Sequence, residues 1–466
     1  MGLQQKKNVK VNLDYLLDFY KAENVYKIIK RNTKHKAKLL LFEKNYIANI
    51  SLIIDVLKNK KYKHGSYNIF IINERKLRLI MSEKLGDKII NHLVSYYVLF
   101  PILEPKLIDT NVAARKNKGT LYAINKLKIY INKLKTNYDS FYVLKVDITK
   151  FFYNIDHKVL LNLLKKDIKD PDLYNLIKEI VKSSENKETR QALKKEIERY
   201  RKKIIKSNLN NKEKERRINN LNKIPISEKG KGLPIGNLSS QILAIYYLNT
   251  LDHFIKEKLK HKYYVRYMDD FIILHHDKKY LKYTLIEIKK YLKKLKLDIN
   301  DKTFISEIHN GFIFLGVRFV LDDKRLRLIL PQNNKIKIRR KLQNIKGRKN
   351  KYNYLMSHYN GYLSFFDENN FLYKNISYKN RQVINHYYRL SDNYNFRIIN
   401  LCYKDIDVEK INFNIKMLVN KYKVNNIEFI IILLDKLHMK LLLGLNNEEK
   451  IPNIKAVHNT ILVVIE

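Results

Sequence analysis

One cysteine, Cys402, excludes an internal disulfide and any zinc site built from paired cysteines, and it suits a reducing cytoplasm. Long apolar runs are scarce as well. The greasiest stretch, Ile427 to Leu434, contains Glu428 and ends at Asp435, so it reads as a buried strand or helix and not as a membrane span. Met1 to Lys10 holds no apolar core of the kind a signal peptide needs, and Lys6 stands where a myristoylation motif requires Ser or Thr. Neither export nor a membrane anchor is expected. Acidic residues are the other scarcity: 46 Asp and Glu face 93 Lys and Arg, a formal charge of +47. Such a field repels itself, and partner phosphates relieve the repulsion while releasing counterions, which points to nucleic acid. A Lys-, Asn- and Ile-rich composition also inflates lysine everywhere, so charge alone does not decide the partner.

At 466 residues with 45% hydrophobic content, the chain can bury a sizeable core spread over two to four subdomains. Apolar residues recur at helical spacing from Asn12 to Lys61, predicting an N-terminal helical region over 1–65. His64-Gly65-Ser66 breaks that pattern. Tyr67 to Ile72 and Lys76 to Ile80 then alternate around an Asn73-Glu74 turn, as a hairpin does, and helices are expected from Leu85 to Leu99 and from Leu121 to Leu134. Phe141 to Ile148 reads as a buried strand, with Lys158 to Lys166 and Asp172 to Val181 as helices beyond it. Between Ser183 and Lys223 the composition turns to Lys, Glu, Arg and Asn with sparse apolar residues, which reads as an inserted, solvated helical hairpin. A basic helix is expected after Pro331 through Lys341, and Asn400 to Glu466 mixes strand-like and helical runs without a motif or an internal repeat.

The chemistry lies in acids placed at strand ends. Tyr263-Tyr-Val-Arg-Tyr-Met-Asp-Asp-Phe-Ile-Ile-Leu supplies two β-prone runs flanking Asp269 and Asp270, which puts both acids at the tip of a tight hairpin. Adjacent strand residues point to opposite faces, so the two cannot play identical roles, and Asp269 is the one expected to face a metal. Asp147 ends another apolar strand and meets Asp269 if the strands are neighbours. Three such carboxylates would repel strongly without cations, which calls for two Mg²⁺ ions, with Mn²⁺ as the substitute. Adjacent acids are also common in plain turns. Between the acidic strands, Gly232-Leu-Pro-Ile-Gly-Asn-Leu-Ser-Ser-Gln241 joins a glycine-containing loop to a helix, and glycine there lets backbone approach a base pair closely.

Together these segments resemble the reverse transcriptase family: Asp147-Ile-Thr-Lys-Phe-Phe-Tyr-Asn-Ile-Asp its motif A, Leu-Pro-Ile-Gly its motif B, Tyr-Met-Asp-Asp its motif C. Leu297-Asp-Ile-Asn-Asp-Lys-Thr is similar to motif D and Phe314-Leu-Gly316 to motif E, while Lys76-Leu-Arg-Leu-Ile and Ala114-Arg-Lys-Asn-Lys-Gly-Thr resemble fingers motifs. The resemblance runs from about Tyr62 to Asp367. It implies an α/β (α+β) right-hand polymerase with fingers at 66–140, palm at 141–330 carrying the 183–223 insertion, thumb at 331–399, and a C-terminal extension at 400–466. It implies metal ligation by Asp147, Asp269 and Asp270 with the Ile148 carbonyl, a steric gate against the 2′-hydroxyl at Phe152, and triphosphate contacts at Arg78, Arg115 and Lys118. Gly236 and Gln241 join that nucleotide site, Lys302 is the motif D proton donor, and Phe314, Leu315 and Gly316 grip the primer. Each of these cations is also a candidate for an ordinary solvated charge, and Asn237 and Gln241 for helix-start caps. The partners implied are an RNA template, a DNA product and deoxynucleoside triphosphates, in the cytoplasm and with no membrane, and a homo-oligomer stays open.

Within the family, the sequence lacks the Val-Thr-Gly of retron enzymes and the zinc-binding tail of mobile-intron proteins. It also lacks a recognisable ribonuclease H carboxylate set, though Asp405, Asp407 and Glu409 are scattered after the thumb. Diversity-generating and defence-associated branches remain, and the insertion and C-terminal segment favour the second. A non-catalytic RNA scaffold and a template-independent polymerase primed from one of the 34 tyrosines are the rival readings. Ile235 replaces the glutamine of retroviral motif B, which removes hydrogen-bonding control near the base pair. Ile235→Gln is therefore expected to lower the misincorporation frequency in a sequenced primer-extension product, and an unchanged frequency would sink that idea.

Overall fold

The computed structural model describes residues 11–33, 37–73, 77–322 and 325–345, together with Tyr354, Phe366, Phe396–Ile398, Ile430–Leu434, Met439–Leu443 and Ile461–Val464. The chain divides into two units, Met1–Leu315 with Val320–Leu326, and Gly316–Phe319 with Arg327–Glu466. The expected N-terminal and fingers regions and most of the expected palm thus fall in the first unit, with 316–319 and 327–330 of the palm in the second. Most of the expected thumb and extension, and with them Cys402, Asp405, Asp407 and Glu409, lie outside the described residues.

In the first unit the palm sheet has strands β3 (Tyr142–Asp147), β4 (Tyr264–Tyr267), β5 (Asp270–His275) and β6 (Phe304–Glu307), in the antiparallel order β4-β5-β3-β6. Their sequences are Val-, Ile- and Phe-rich because the central strands are buried: Val143, Leu144, Val146, Phe271, Ile272, Ile273 and Leu274 are all fully enclosed. Register places Asp147 directly opposite Asp270. Helix Lys278–Lys294 packs on this sheet, and helix Leu238–Tyr247 is buried along its apolar length from Ile242 to Tyr247. The N-terminal helices Phe19–Asn32, Ala37–Glu43 and Tyr46–Lys58 form the expected layer, with Val25, Ile29, Ile50 and Leu57 in the shared core.

Upstream of the palm, β1 (Asn68–Asn73) and β2 (Leu77–Ser82) form the expected hairpin, Asn68 opposite Ser82 and Asn73 opposite Leu77, with the turn residue Glu74 outside the described residues. The 183–223 segment is two helices, Lys187–Ile205 and Asn211–Asn222, but it is not merely solvated. Its sparse apolar residues Leu193, Ile204, Leu221 and Ile224 cluster with Leu79 of β2, and Ile69, Ile71, Leu77 and Met81 pack around them. The spacing of those few residues carries the face, and the polar composition hides it. In the second unit, helix Gln332–Asn344 is the expected basic helix, and β10 (Phe396–Ile398), β11 (Ile430–Leu434), β12 (Met439–Leu443) and β13 (Ile461–Val464) pair antiparallel in the order β10-β13-β11-β12, labels β7 to β9 being kept for Phe312–Phe314, Val317–Leu321 and Leu326–Ile329. The greasy run is therefore a strand over Ile430–Leu434. Among the described residues no helix is long and apolar enough to cross a membrane. Leu193→Ala is expected to lower the unfolding free energy by about 2–4 kcal/mol in urea titration, whereas an unaltered midpoint would mean that the insertion does not lean on the hairpin.

Candidate active site

Because β3 and β5 are neighbours, the acids at their ends converge on one edge of the palm sheet. Asp269 follows Met268 in the two-residue turn between β4 and β5, and its carbonyl accepts from the Ile148 N–H at 3.3 Å, fastening the turn to the residue after Asp147. Burial pushes the Asp269 carboxyl up to about 6, and the negative charge of Asp147 adds to the shift while Arg266 and Arg78 oppose it. Asp270 is likewise pushed up to about 6 by burial against the pull of Lys145, with Asp147 and Asp269 adding their repulsion. All three acids therefore feel one another, as the sequence pattern requires.

They are not equivalent. Lys145, two residues before Asp147 on β3, reaches Asp270 Oδ2 at 3.3 Å and donates to the Ile313 carbonyl at 2.8 Å, tying the second acid of the turn to β7. Asp270 Oδ1 is buried without a hydrogen-bond partner. Among the described residues no three His, Cys, Asp or Glu side chains are gathered as a closed metal cage. Of the expected ligands, Asp270 is held by Lys145, whereas Asp147 and Asp269 make no ion pair among the described residues and stand with the Ile148 carbonyl as the set without a competing cation. That set fits magnesium, which takes one or two carboxylates and fills its octahedron with water and substrate phosphates. The mutual repulsion and the unpartnered Asp270 oxygen are what a cation would relieve.

Asp147 is itself oriented from motif D. Asn300 donates from its backbone to the Asp147 carbonyl at 2.8 Å and from Nδ2 to Asp147 Oδ2 at 2.9 Å, and Thr149 N–H donates to the Asp298 carbonyl at 2.8 Å. Asn300 is a functional candidate that the sequence reading passed over, although the segment containing it was singled out. Lys302, on the same loop, is exposed and has no ion pair among the described residues.

The motif B loop is clasped to the fingers hairpin. Met81 N–H of β2 donates to the Ile235 carbonyl at 2.9 Å. A Cβ on Gly236, at φ 132, would lie 2.5 Å from the Met81 carbonyl, so the close approach of β2 by itself demands glycine here. Asn237 stands at the N-cap of helix Leu238–Tyr247 but makes no capping bond. Its amide instead donates to Glu83 Oε1 at 2.9 Å and to the Tyr67 hydroxyl at 2.8 Å, inside the core. Tyr67 in turn meets Ser183 Oγ at 2.7 Å, and His64 faces Glu83 at 3.4 Å. Burial holds the Glu83 carboxyl above the usual carboxylate range. Gln241 is exposed in the first turns of that helix.

Of the expected triphosphate contacts, Arg78 is exposed on β2 and close enough to act electrostatically on both Asp269 and Tyr153. Arg115 and Lys118 are otherwise engaged. Arg115 bonds Glu104 and the Ile108 and Asn111 carbonyls at 3.2, 2.8 and 2.9 Å, and Lys118 bonds Asp109 through both carboxylate and carbonyl. Phe152 lies in the short helix Phe151–Asn154, half-buried beside Phe151, and its carbonyl accepts from Leu233 N–H at 2.8 Å, which brings motifs A and B together. Phe314 is buried at the end of β7, followed by Leu315 and Gly316 at φ 50 and 81, the left-handed pair of a tight turn.

The acids thus converge on one sheet edge, and the glycine loop is bonded both to β2 and to the short helix that follows β3. The pattern of the reverse transcriptase (RNA-dependent DNA polymerase) family matches residues 60–319, more than half of the chain, and the chain belongs to that family. A comparison with curated proteins finds no match. Two solved structures are similar in fold: apo telomerase from Candida tropicalis, truncated of its C-terminal domain (13% identity, TM-score 0.38, 59% of this chain and 58% of that one), and telomerase from Candida albicans in complex with a fragment of telomeric RNA (16%, 0.40, 75% and 58%). This chain thus spans 58% of the length of each.

The raised carboxyls fix a pH dependence. A folded pKa of about 6 above an ordinary 3.8 means that the native state holds these protons more tightly, so the metal-free contribution of these two groups to stability is most favourable below about pH 4 and is lost as pH rises through 6. In chelator at pH 7, Asp269→Asn is therefore expected to be more stable than the parent by roughly 1–3 kcal/mol, with little difference at pH 4. A less stable variant at pH 7 would show that the acids do not repel.

Proposed function

We propose that this chain is an RNA-directed DNA polymerase that extends a primer 3′ end along an RNA template by metal-assisted nucleotidyl transfer. The observation that carries the reading is the pairing of β3 with β5, which sets Asp147 opposite Asp270 and bonds the turn at Asp269 to Ile148, within a matched reverse transcriptase domain. Asp147, Asp269 and the Ile148 carbonyl would hold two Mg²⁺ ions, with Asp270 adding charge from its Lys145 tether. Bound there, the ions activate the attacking hydroxyl and neutralise the leaving pyrophosphate. The protein's own residues do the placing. Asn300 fixes the rotation of the Asp147 carboxylate. The Phe152 ring, backed by Phe151, closes the space that a ribose 2′-hydroxyl needs, so deoxynucleotides are selected. Arg78 offers a cation to the triphosphate, Lys302 a proton to the departing pyrophosphate, and the Phe314-Leu315-Gly316 turn a support for the primer.

At the finer level we read a bacterial, defence-associated enzyme copying a structured noncoding RNA in the cytoplasm, in preference to a diversity-generating one. The supporting feature is the chain beyond a compact core: the 183–223 hairpin seated on the fingers strands and the four-stranded sheet that ends at Val464. Genomic neighbours discriminate the two, since a variable-protein gene with paired repeats would indicate diversification.

Primer extension on a defined RNA template with Mg²⁺ and single deoxynucleotides tests the chemistry. Products that track the template are expected, and Asp147→Asn should slow them by about 1,000-fold or more, roughly 4 kcal/mol of barrier. Homopolymer independent of template would assign a terminal transferase, and no product with intact RNA binding would assign a scaffold.

A further inference from the structure

Arg266 is the largest fully buried side chain among the described residues. A guanidinium removed from water has to be matched donor by donor, and this one is. Nε and Nη2 form a bidentate pair with Asp252 Oδ1 and Oδ2 at 2.7 and 2.5 Å, both side chains being 0% exposed. Asp252, on helix Asn249–His253, also accepts from the Tyr264 hydroxyl at 2.6 Å and from Asn111 Nδ2 at 3.3 Å. The remaining reach of Arg266 is spent on backbone. Nη2 donates to the Ile245 carbonyl at 2.9 Å, on the helix that follows the motif B loop, and Nη1 donates to the Met268 carbonyl at 2.8 Å.

Met268 is where this matters. It is the first residue of the β4–β5 turn and stands at φ 56, in the left-handed region where a side chain other than Gly, Asn or Asp carries a steric penalty. Its carbonyl belongs to the peptide whose nitrogen is that of Asp269, so the bond from Arg266 fixes the plane from which the Asp269 side chain projects. Arg266 is held from both sides in turn: its own N–H donates to the Thr110 carbonyl at 3.0 Å, and its carbonyl accepts from Val112 at 3.0 Å. A buried ion pair of this kind adds little net stability over an apolar replacement, so stability alone does not account for it.

We propose that the Arg266–Asp252 pair is a positioning device for the metal site: it clamps the strained Met268 carbonyl and so presents the Asp269 carboxylate in the orientation that captures the divalent cation. This rests on the assignment of Asp269 to that site made above. Arg266 and Asp252 touch neither cation nor nucleotide; they act through the turn.

The test uses the full chain and reads Mn²⁺ binding by electron paramagnetic resonance alongside primer extension. Arg266→Met combined with Asp252→Asn removes both buried charges at once, and Arg266→Lys keeps the charge but cannot span Asp252 and the Met268 carbonyl together. For each folded variant the Mn²⁺ dissociation constant is expected to rise about 10-fold or more, with kcat falling by a similar factor while the KM for deoxynucleotide stays near that of the parent. A folded variant with parental Mn²⁺ binding and kcat overturns the proposal. Failure of both variants to fold would assign the pair to stability and overturn it equally. Asp269→Asn runs in parallel: if it retains Mn²⁺ binding and extension, it is the metal-site reading that fails, independently of Arg266.

Discussion

Repulsion among carboxylates on one sheet edge is the constraint that the rest of the first unit answers. Asp147, Asp269 and Asp270 are brought together by strand pairing that cannot be undone without losing the palm, because β3 and β5 share the register that sets Asp147 opposite Asp270. The surroundings answer with fixed cations at graded distance. Lys145 is in contact with Asp270, whereas Arg266 and Arg78 act on Asp269 through space. Burial still keeps both motif C carboxyls raised to about 6, with the neighbouring carboxylates adding to the shift.

The second requirement is that the nucleotide-facing loop keep its place, and it is met by neighbours distant in sequence. Motif B is stitched to β2 by the Met81 to Ile235 bond and by the contact that only Gly236 permits, then locked below by Asn237 on Glu83 and Tyr67. Ser183, at the entrance to the insertion, closes the same network through Tyr67. The insertion packs on β2 from the other side through Leu193 and Leu221. Fingers strand, insertion and motif B therefore form one packed body, and a shift in any of them reaches the loop. An apolar cluster beside a buried polar network gives both adhesion and register, since apolar contact is non-directional and each hydrogen bond needs its donor and acceptor aligned.

Much of this was legible in the sequence, for identifiable reasons. The strands around Asp147 and Asp269 announce themselves because buried central strands are continuous apolar runs, and the hairpin 67–80 because it alternates. The role of the insertion was not legible, since four apolar residues among so many charges average out in composition and act only through their spacing. Asn300 and Glu83 were missed for another reason, and Asn237, read as a candidate helix-start cap, bonds Glu83 and Tyr67 instead. Their partners lie tens to hundreds of residues away, and a single polar residue carries no periodicity. At Gly236 the close backbone approach read from the sequence has a neighbour within the protein, the Met81 carbonyl of β2. Arg115 and Lys118 fit a motif, yet nearby carbonyls and carboxylates already occupy them.

That occupation bears on how a triphosphate would be met. Drawing Arg115 to an incoming nucleotide would strip the Ile108 and Asn111 carbonyls of their donor, at about 1–3 kcal/mol for each buried group left unpaired. Lys118 would have to leave Asp109. Arg78 and Lys302 face no such cost, because neither has an ion pair among the described residues. They also sit on elements already tied to the catalytic acids: Arg78 on the strand that grips motif B, Lys302 on the loop that Asn300 fastens to Asp147. Polyanion charge would then be answered first by the two cations whose backbones are anchored to the site and whose side chains are not, which reconciles a firm geometry at the carboxylates with adaptable contacts at the phosphates.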